Sequence, residues 1–280
     1  MPDRKRKQKP IVSIIGTGRL GTALAVALSA QGYSLRSLVA RRVESARKAA
    51  TLARQAAMSA THASTPLYAN LTAVAAKHVG SLPQADLFLI SVPDDQIGGV
   101  ARVLSKLRFD HKPTALHTSG ALSSEVLSPL AAQGWSVEGA ASAVRLAKTL
   151  VRDLGGTSFS IRTAEKPLYH AAAVMTSGNV TALFDVALEM LVECGLTRQT
   201  ARRVLQPLLL STAHNLQTKD PSAALTGTFS RGDVETVKRH LAALEQHDLA
   251  DALELYCLLG KRSLKIAKKR TGITRILDRC

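Results

Sequence analysis

Residues 11–28 read IVSIIGTGRLGTALAVAL, and this stretch decides the expected fold. The hydrophobic run at 11–15 predicts a β-strand. Apolar residues at helical spacing begin at Leu20 and continue until Gly32, which is placed to end a helix. A G-x-G-x-x-G turn stands between the two, so the predicted order is strand, glycine-rich turn and helix.

The glycine-rich turn predicts a dinucleotide site. Gly16 permits the tight bend, Gly18 lets a pyrophosphate approach the backbone, and Gly21 lets the helix pack on the strand. Free N–H groups and the positive end of the helix then face the phosphates. An ordinary strand-to-helix turn is the alternative, because any tight turn favours glycine. The turn also places these residues as candidate cofactor contacts: Thr17, Arg19 and Leu20.

The end of the second predicted strand, 34–40, bears on the choice of cofactor. Arg41 and Arg42 follow it, about twenty residues after the last glycine of the turn. A site that prefers NAD usually has an acidic residue there for the ribose 2′-hydroxyl, whereas a guanidinium can bind the 2′-phosphate of NADP. Ser45 adds a hydroxyl. The sequence predicts NADP over NAD, unless both arginines are only the solvated start of a helix.

Two more predicted strands, at 85–92 and 114–118, end in polar residues or glycine at the same edge of the sheet. Asp94 is equally suited to cap the following helix. Packing in a core is the alternative for His117, but a histidine, two hydroxyls and a glycine together at a strand end favour a ligand-facing role. In this architecture Val92, Pro93 and Asp94 stand where the nicotinamide ribose would lie, and His117, Ser119 and Gly120 end a strand at the same edge of the sheet.

The first 160 residues alternate apolar strands with amphipathic helices, which predicts a parallel α/β sheet covered on both faces. Strands are predicted at 11–15, 34–40, 85–92 and 114–118, and more weakly at 135–140 and 157–161. The strand pattern stops near residue 163. We therefore expect a basic tail at 1–10, a Rossmann-like domain at 11–163 and a mainly α-helical domain at 164–280.

The predicted helical domain begins with one long helix from Pro167 to Cys194, which Gly195 would end. Thr197 is placed to cap the next helix, and Pro207 should kink or break that helix. Further helices are predicted from a cap at Asp233 through Leu244, and at 249–269.

The net charge of +16 is concentrated at the two ends of the chain. Residues 11–260 carry 24 basic and 19 acidic side chains, and no aromatic residues alternate with the terminal charges, which argues against a nucleic-acid partner. The three cysteines are widely spaced, so neither a disulfide framework nor a metal site is predicted. No continuous apolar run has the length of a membrane span. We expect a cytoplasmic protein without a membrane partner.

Five stretches, taken in their order along the chain, carry a resemblance to a known family: GTGRLG, SVPDDQI, LHTSGALSSEVLSPL, YHAAAVMTSGN and ALTGTFSRGD. With them, residues 11 to about 260 resemble Rossmann-like oxidoreductases whose C-terminal domain has no assigned function. These are relatives of pyrroline-5-carboxylate reductase, deazaflavin-dependent NADP reductases and 6-phosphogluconate dehydrogenase-like enzymes. The resemblance implies a helical domain that builds a homodimer and a substrate cleft between the two domains. The long apolar run at 171–191 also favours a dimer.

The resemblance and the residue types together suggest roles at the site. His170 is the first candidate for a proton donor, because histidine titrates near neutral pH and this residue opens a helix; a position pointing at water is the alternative. Arg231 can hold a substrate carboxylate or pair with Asp233 at a helix start. The catalytic candidates are His170, His117 and Asn179, and the substrate-binding candidates are Tyr169, Thr226 and Arg231.

Two features of the resembled family are missing. Relatives carry a His-Pro pair where residues 139–145 read GAASAVR, and their Ser-Asn pair is replaced by Ser177-Gly178-Asn179. The Lys-x-x-x-Asn of hydroxyacid dehydrogenases is also absent, because Met175 stands four residues before Asn179.

The predicted function is an NADP-dependent reductase that transfers hydride to a small anionic oxo or imine metabolite, such as a ketopantoate-like compound. The missing features leave a catalytically altered or inactive dinucleotide sensor or scaffold as the alternative. A nucleic-acid-binding protein that uses the basic ends is the third possibility, and the near-balanced charge of the rest of the chain disfavours it.

Overall fold

The structure is a computed structural model, and it describes residues 9–60, 70–267 and 277. The chain divides into two compact units, Met1–Ala171 and Ala172–Cys280. The division falls eight residues later than the expected domain boundary at 163. The predicted basic tail at 1–10 lies, apart from its last two residues, outside the described part of the chain.

The first unit is built on a six-stranded parallel sheet with the strand order β3-β2-β1-β4-β5-β6. The order changes direction between β1 and β4, which leaves a crevice at the carboxyl ends of these two strands. The predicted Rossmann-like fold is confirmed. The strands are β1 Val12–Ile15, β2 Leu35–Ala40, β3 Thr72–Ala75, β4 Leu87–Ile90, β5 Thr114–His117 and β6 Ser136–Val137.

Helices cover both faces of this sheet, as continuous apolar strands require. The helices of the unit are α1 Arg19–Ala30, α2 Val43–Ala60, α3 Asp94–Leu104, α4 Ser128–Ala131 and α5 Ala141–Asp153, and α6 Lys166–Thr176 crosses its end. Leu28, Ala50 and Leu150 place α1, α2 and α5 in one core. Ile97 and Leu130 place α3 and α4 in the other.

Two features of the sheet differ from the sequence prediction. Strand β3 was not predicted, because its Thr-Ala-Val-Ala sequence is small and becomes a strand only by pairing with β2. The predicted strand at 157–161 is wrong, since these residues form no strand and Phe159 and Ile161 are 64% and 42% exposed. Strand β6 has only two residues, and among the described strands it pairs only with β5. Residues 157–161 therefore have no described neighbouring strand to pair with at this edge of the sheet.

The second unit is helical, and its core is formed by Val237, Leu241, Cys257, Leu264 and Leu277. The single long helix predicted for 167–194 is wrong. It is divided at Ser177, whose φ of −121° and ψ of −75° are not helical, and Ser-Gly is a pair of weak helix formers. The helices are α7 Gly178–Glu193, α8 Arg198–Thr218, α9 Pro221–Ala224, α10 Thr228–Arg231, α11 Val234–Gln246 and α12 Ala250–Ile266.

The predicted helix ends are largely confirmed. The side chains of Thr197 and Asp233 accept the N–H groups of the residues three positions later, and thus cap α8 and α11. Gly195 adopts a left-handed φ of 87° just after Cys194, the C-cap of α7. Pro207, in contrast, does not break α8, which continues through it to Thr218.

Two expectations drawn from composition are corrected. The segment Thr163–Glu193, which contains α6 and α7, is by length and composition apolar enough to cross a membrane, with a mean hydropathy of 1.4, and little of it is buried. The sequence estimate missed it because its apolar residues are interspersed with polar ones. Cys194 is free and exposed, whereas Cys257 is disulfide-bonded, a contact that spacing along the chain does not reveal.

Candidate cofactor site

Two glycines of the turn after β1 are required by packing within the protein. Gly16 has a φ of 100°, and a Cβ on it would overlap the carbonyl oxygen of Ser91. A Cβ on Gly21 would overlap the carbonyl oxygen of Gly16, so α1 packs directly on the turn. Gly18 differs, because a Cβ there would meet no described atom within 4 Å. The protein itself therefore leaves the space at Gly18 open.

The start of α1 is open to an anion. Gly18 occupies the N-cap and has no side chain to accept an N–H, and the first backbone bond runs from the Thr22 N–H to the Gly18 carbonyl at 2.9 Å. Thr17 Oγ1 is buried and has no hydrogen-bond partner among the described residues. Exposed N–H groups, a helix dipole and an orphaned hydroxyl are the features that a pyrophosphate satisfies.

A cavity of about 550 Å³ runs along the carboxyl ends of β1, β2 and β4. The predicted cofactor residues that line it are Gly16, Thr17, Gly18, Arg41, Arg42, Val92 and Pro93. Six other predicted residues do not line it: Arg19, Leu20, Gly21, Asp94, Ser119 and Gly120. Gly21 packs against the backbone of Gly16 instead, and Leu20 is 51% exposed.

The cavity is positively charged beside β2. Arg41, Arg42 and Ser45 all line it, and none of its lining residues is acidic. Within the described chain, neither guanidinium makes an ion pair or a side-chain hydrogen bond. Two unpaired guanidinium groups and a hydroxyl therefore face the space where a second phosphate would bind.

One wall of the cavity was missed by the sequence prediction. It is apolar or neutral and comes from the 3₁₀ turn Ala76–Ser81 and from α3. The residues that form it are Ala76, Val79, Gln96, Gly99, Val100 and Val103. The apolar spacing in α3 was visible in the sequence, but nothing in the sequence placed the 76–81 turn beside the glycine-rich turn.

Asp94 is a hydrogen-bond acceptor for the neighbouring strand end rather than a helix cap. Pro93 is the N-cap of α3, so the interpretation of Asp94 as the cap is wrong. The Ser119 hydroxyl donates to Asp94 Oδ2 at 2.8 Å and accepts the N–H groups of Ala121 and Leu122. These bonds hold the loop after β5 against the first turn of α3.

The side chain of His117 is completely buried, with 0% exposure. Its Nδ1 accepts the Ser119 N–H at 3.2 Å, and its Nε2 lies 3.2 Å from Glu138 Oε2. Burial lowers the pKa of His117 below its ordinary value, against the opposing effect of Glu138. This histidine cannot touch a substrate in this conformation, and it instead connects the ends of β5 and β6.

The structure brings His170 to the same loop. A Cβ on Gly120 would lie 2.7 Å from His170 Nδ1, so the imidazole packs directly on this glycine. His170 is exposed and makes no hydrogen bond or ion pair with the described residues. Its neighbour Tyr169 turns elsewhere and packs edge-on against Phe159, with ring centroids 5.5 Å apart.

Three predicted residues lie in the helical unit. Asn179 is the second residue of α7, Thr226 lies between α9 and α10, and Arg231 ends α10. The pKa of Asp233 is lowered chiefly by its hydrogen bonds to Thr236, with Arg231 as a smaller charge effect. The roles suggested for Asn179, Thr226 and Arg231 stay predictions. No group of side chains suited to a metal ion occurs in the described ranges.

Domain comparisons agree with this architecture. Residues 2–137 match the Rossmann-like domain family, and residues 133–263 match a domain of unknown function, DUF2520. The chain combines a Rossmann-like domain with a DUF2520 domain. No curated protein sequence matches it.

Solved structures share the fold of this Rossmann-like and DUF2520 chain at low sequence identity. A Bacteroides fragilis protein assigned as an NADP oxidoreductase has a TM-score of 0.68 and 20% identity, over 92% of this chain and 98% of that one. Pyrroline-5-carboxylate reductase from Coxiella burnetii has a TM-score of 0.58 and 14% identity, over 93% and 98%. Pyrroline carboxylate reductase from Plasmodium falciparum, in a structure with NADP bound, has a TM-score of 0.52 and 13% identity, over 92% of this chain and 98% of that one. These similarities establish the fold.

Proposed function

We propose that the chain is an NADP-dependent reductase that transfers hydride to a small anionic oxo or imine compound, with ketopantoate-like compounds as one candidate. The observation that carries the proposal is the cavity that joins the glycine-rich turn to Arg41 and Arg42. Structures with the same fold include an assigned NADP oxidoreductase and a reductase with NADP bound, which supports a nicotinamide cofactor.

The residues of the cavity fit NADP part by part. The open space at Gly18 and the first turn of α1 suit the pyrophosphate, with Thr17 Oγ1 as an additional partner. Arg41, Arg42 and Ser45 suit the 2′-phosphate, because they line the cavity and no acidic residue lines it to repel the phosphate. The cofactor supplies the hydride when it is bound, and the protein supplies position and a proton.

His170 is the proposed proton donor. Reduction of a C=O or C=N bond leaves negative charge on the oxygen or nitrogen, and a histidine near neutral pH can neutralise it. His170 is exposed, unpaired among the described residues and packed on Gly120, next to the loop that follows β5. His117 is too deeply buried for this role.

The test measures cofactor binding and turnover separately. Calorimetry gives the affinities for NADPH and NADH, and NADPH consumption is followed with a panel of small oxo acids and cyclic imines. We expect NADPH binding and turnover of at least one compound. His170→Asn should lower kcat by about a hundredfold while NADPH affinity stays within about twofold.

His247→Asn is the matched control, because this exposed histidine ends α11 in the other unit and should not change kcat. Binding of neither cofactor at millimolar concentration would contradict the proposal and make the turn a structural one. Tight NADPH binding without turnover of any compound in the panel would favour the dinucleotide sensor or scaffold.

We propose a homodimer formed through the predicted helical domain, residues 164–280. In α6 and α7 only Leu188 is buried, and α8 buries only Ala201. Large apolar side chains of these helices are strongly exposed, among them Leu168, Met175, Leu208 and Leu210 at 69%, 66%, 63% and 60%. A second copy that covers them would remove this area from water.

A cytoplasmic location is also proposed, and the disulfide at Cys257 is the observation that argues against it.

A further inference from the structure

Helix α6 contacts the carboxyl edge of the sheet through two residues on one face. Lys166 and His170 are four positions apart, so they lie one turn above each other on that face. Lys166 Nζ lies 2.9 Å from Glu138 Oε1, and its side chain is only 12% exposed. His170 packs on Gly120. The helix is thus held at two points, one of which is the proposed proton donor.

A chain of polar contacts continues from Glu138 into the loop after β5. The second oxygen of Glu138 faces His117 Nε2 at 3.2 Å, outside the geometry of a hydrogen bond, and Nε2 has no hydrogen-bond partner in the described chain. Because Nδ1 accepts the Ser119 N–H, the proton of neutral His117 must be on Nε2, facing the carboxylate. Ser119 then donates to Asp94 at the start of α3.

We propose that Glu138 and Lys166 are positioning residues of the reductase: through His117 they hold the Ser119–Gly120 loop, and through α6 they hold His170 against it. This inference rests on the proposed function. Glu138 is the shared link, since its two oxygens face Lys166 and His117 separately. The stretch that follows Glu138, residues 139–145, contains no histidine, so the histidine of this network is His117.

The charges around His117 make the network testable, because they act in opposite directions. Glu138 beside the ring and the more distant Asp94 raise the pKa of His117, while burial and Lys166 lower it; the backbone of Ser123 also favours the protonated form. Glu138→Gln keeps the shape and removes the negative charge, so the pKa of His117 should fall. Lys166→Met removes the positive charge, so that pKa should rise. Protonation of Nδ1 would then break its bond to the Ser119 N–H.

The experiment reads the histidines by ¹⁵N NMR and the reaction by its pH profile. In the wild-type protein, His117 should carry its proton on Nε2. The two variants should shift the pKa of His117 in opposite directions and move the amide signal of Ser119 and the ring signals of His170. Both should lower kcat by about ten- to a hundredfold, with the NADPH affinity within about twofold. Lys166→Arg should restore most of kcat.

The matched control is Glu165→Gln, which removes a neighbouring carboxylate that pairs with Arg162 on the surface and leaves the network intact. It should change neither the His117 signals nor kcat. A proton on Nδ1 in the wild type, or a His117 pKa that neither variant moves, would overturn the inference. Unchanged kcat in both variants of an active enzyme would overturn it as well. If the wild type reduces nothing, the proposed function fails, and the NMR measurements still decide whether the network exists.

Discussion

At the scale of single residues, the three glycines of the turn serve different purposes. Gly16 and Gly21 are needed because a side chain at either position would overlap backbone atoms of the protein. Gly18 has an ordinary φ of −71° and an open surrounding, so nothing in the described structure forbids a side chain there. A ligand that approaches the backbone at this position would account for the glycine.

This difference predicts two contrasting alanine variants. Gly18→Ala should leave the free energy of unfolding within about 0.5 kcal/mol, because no described atom is displaced, and should weaken NADPH binding about tenfold or more. Gly16→Ala should destabilise the protein by about 1–3 kcal/mol or more, because of its φ of 100° and the overlap with Ser91. Urea unfolding and calorimetry measure both quantities. Unchanged NADPH affinity in Gly18→Ala would remove the turn from the cofactor site.

In the proposed site, we expect Arg41 to set the preference for NADP over NAD. A charge-assisted contact to the 2′-phosphate contributes about 1.5–3 kcal/mol, so NADPH should bind about tenfold or more tightly than NADH. Arg41→Asp should reverse this order, because the carboxylate accepts from the ribose hydroxyls and repels the phosphate. Arg47→Asp makes the same charge change on the exposed side of α2, outside the cavity, and should not reverse the order. Equal wild-type affinities would remove Arg41 from the site.

At the scale of secondary-structure elements, α8 tolerates a residue that usually ends a helix. Pro207 lies inside it, where it supplies no N–H for the helical ladder. Within the described chain only Ala201 of this 21-residue helix is buried, so little packing of the described structure compensates for the proline. The helix instead depends on the Thr197 cap and on the favourable propensity of its leucine, arginine and glutamine residues.

Replacing this proline should therefore stabilise the protein. Pro207→Ala should raise the free energy of unfolding by about 1–3 kcal/mol, less than the full helix penalty of proline because alanine also makes the unfolded chain more flexible. Urea unfolding followed by circular dichroism measures the change. Thr212→Ala, at an exposed position of the same helix, should change it by less than about 0.7 kcal/mol. A decrease in Pro207→Ala would show that the proline is required.

At the scale of the whole molecule, stability should depend on pH through His117. Burial keeps the pKa of this histidine below 6.5 in the folded state, so acidification protonates the unfolded chain first. The contribution of neutral His117 to the free energy of unfolding is complete above pH 6.5. It is lost as the pH falls from 6.5 toward the folded-state pKa, by at most about 1.4 kcal/mol per pH unit.

The fluorescence of Trp135 can follow this unfolding, because the ring is buried against Phe88 and Phe109 at centroid distances of 5.2 and 5.5 Å. His117→Asn should flatten the pH dependence below about pH 6.5 relative to the wild type. His78→Asn, at an exposed position of the same unit, should leave it as in the wild type. Parallel curves for the wild type and His117→Asn would contradict the assignment.

The exposed helices predict the assembly state. Sedimentation at micromolar concentration should give twice the chain mass of 29.8 kDa. Leu208→Lys places a charge in the exposed apolar surface and should yield folded monomers, since a stable dimer needs about 800 Å² of buried area from each partner. Gln246→Lys, at an exposed position at the end of α11, should remain dimeric. A wild-type monomer, or binding of this surface to lipid vesicles instead of a second copy, would contradict the dimer.

The sequence by itself determined the features that depend on near neighbours. The apolar run and glycines at 11–21, the caps at Thr197 and Asp233, and the end of α7 at Gly195 follow from local backbone preferences and hydrogen bonds. Alternation of strands and helices likewise predicted the parallel sheet, because a strand buried on both faces must be apolar throughout. These are interactions between residues a few positions apart, which a sequence displays directly.

Only the tertiary structure decided what depends on residues far apart in the chain. Strand β3 exists because β2 pairs with it, and the wall at 76–81 faces the glycine turn because the sheet places it there. The contacts of Glu138 with His117 and Lys166, and of His170 with Gly120, join segments separated by 21 to 50 residues. No local pattern encodes these contacts, because the free energy that forms them comes from packing the whole sheet and its helices.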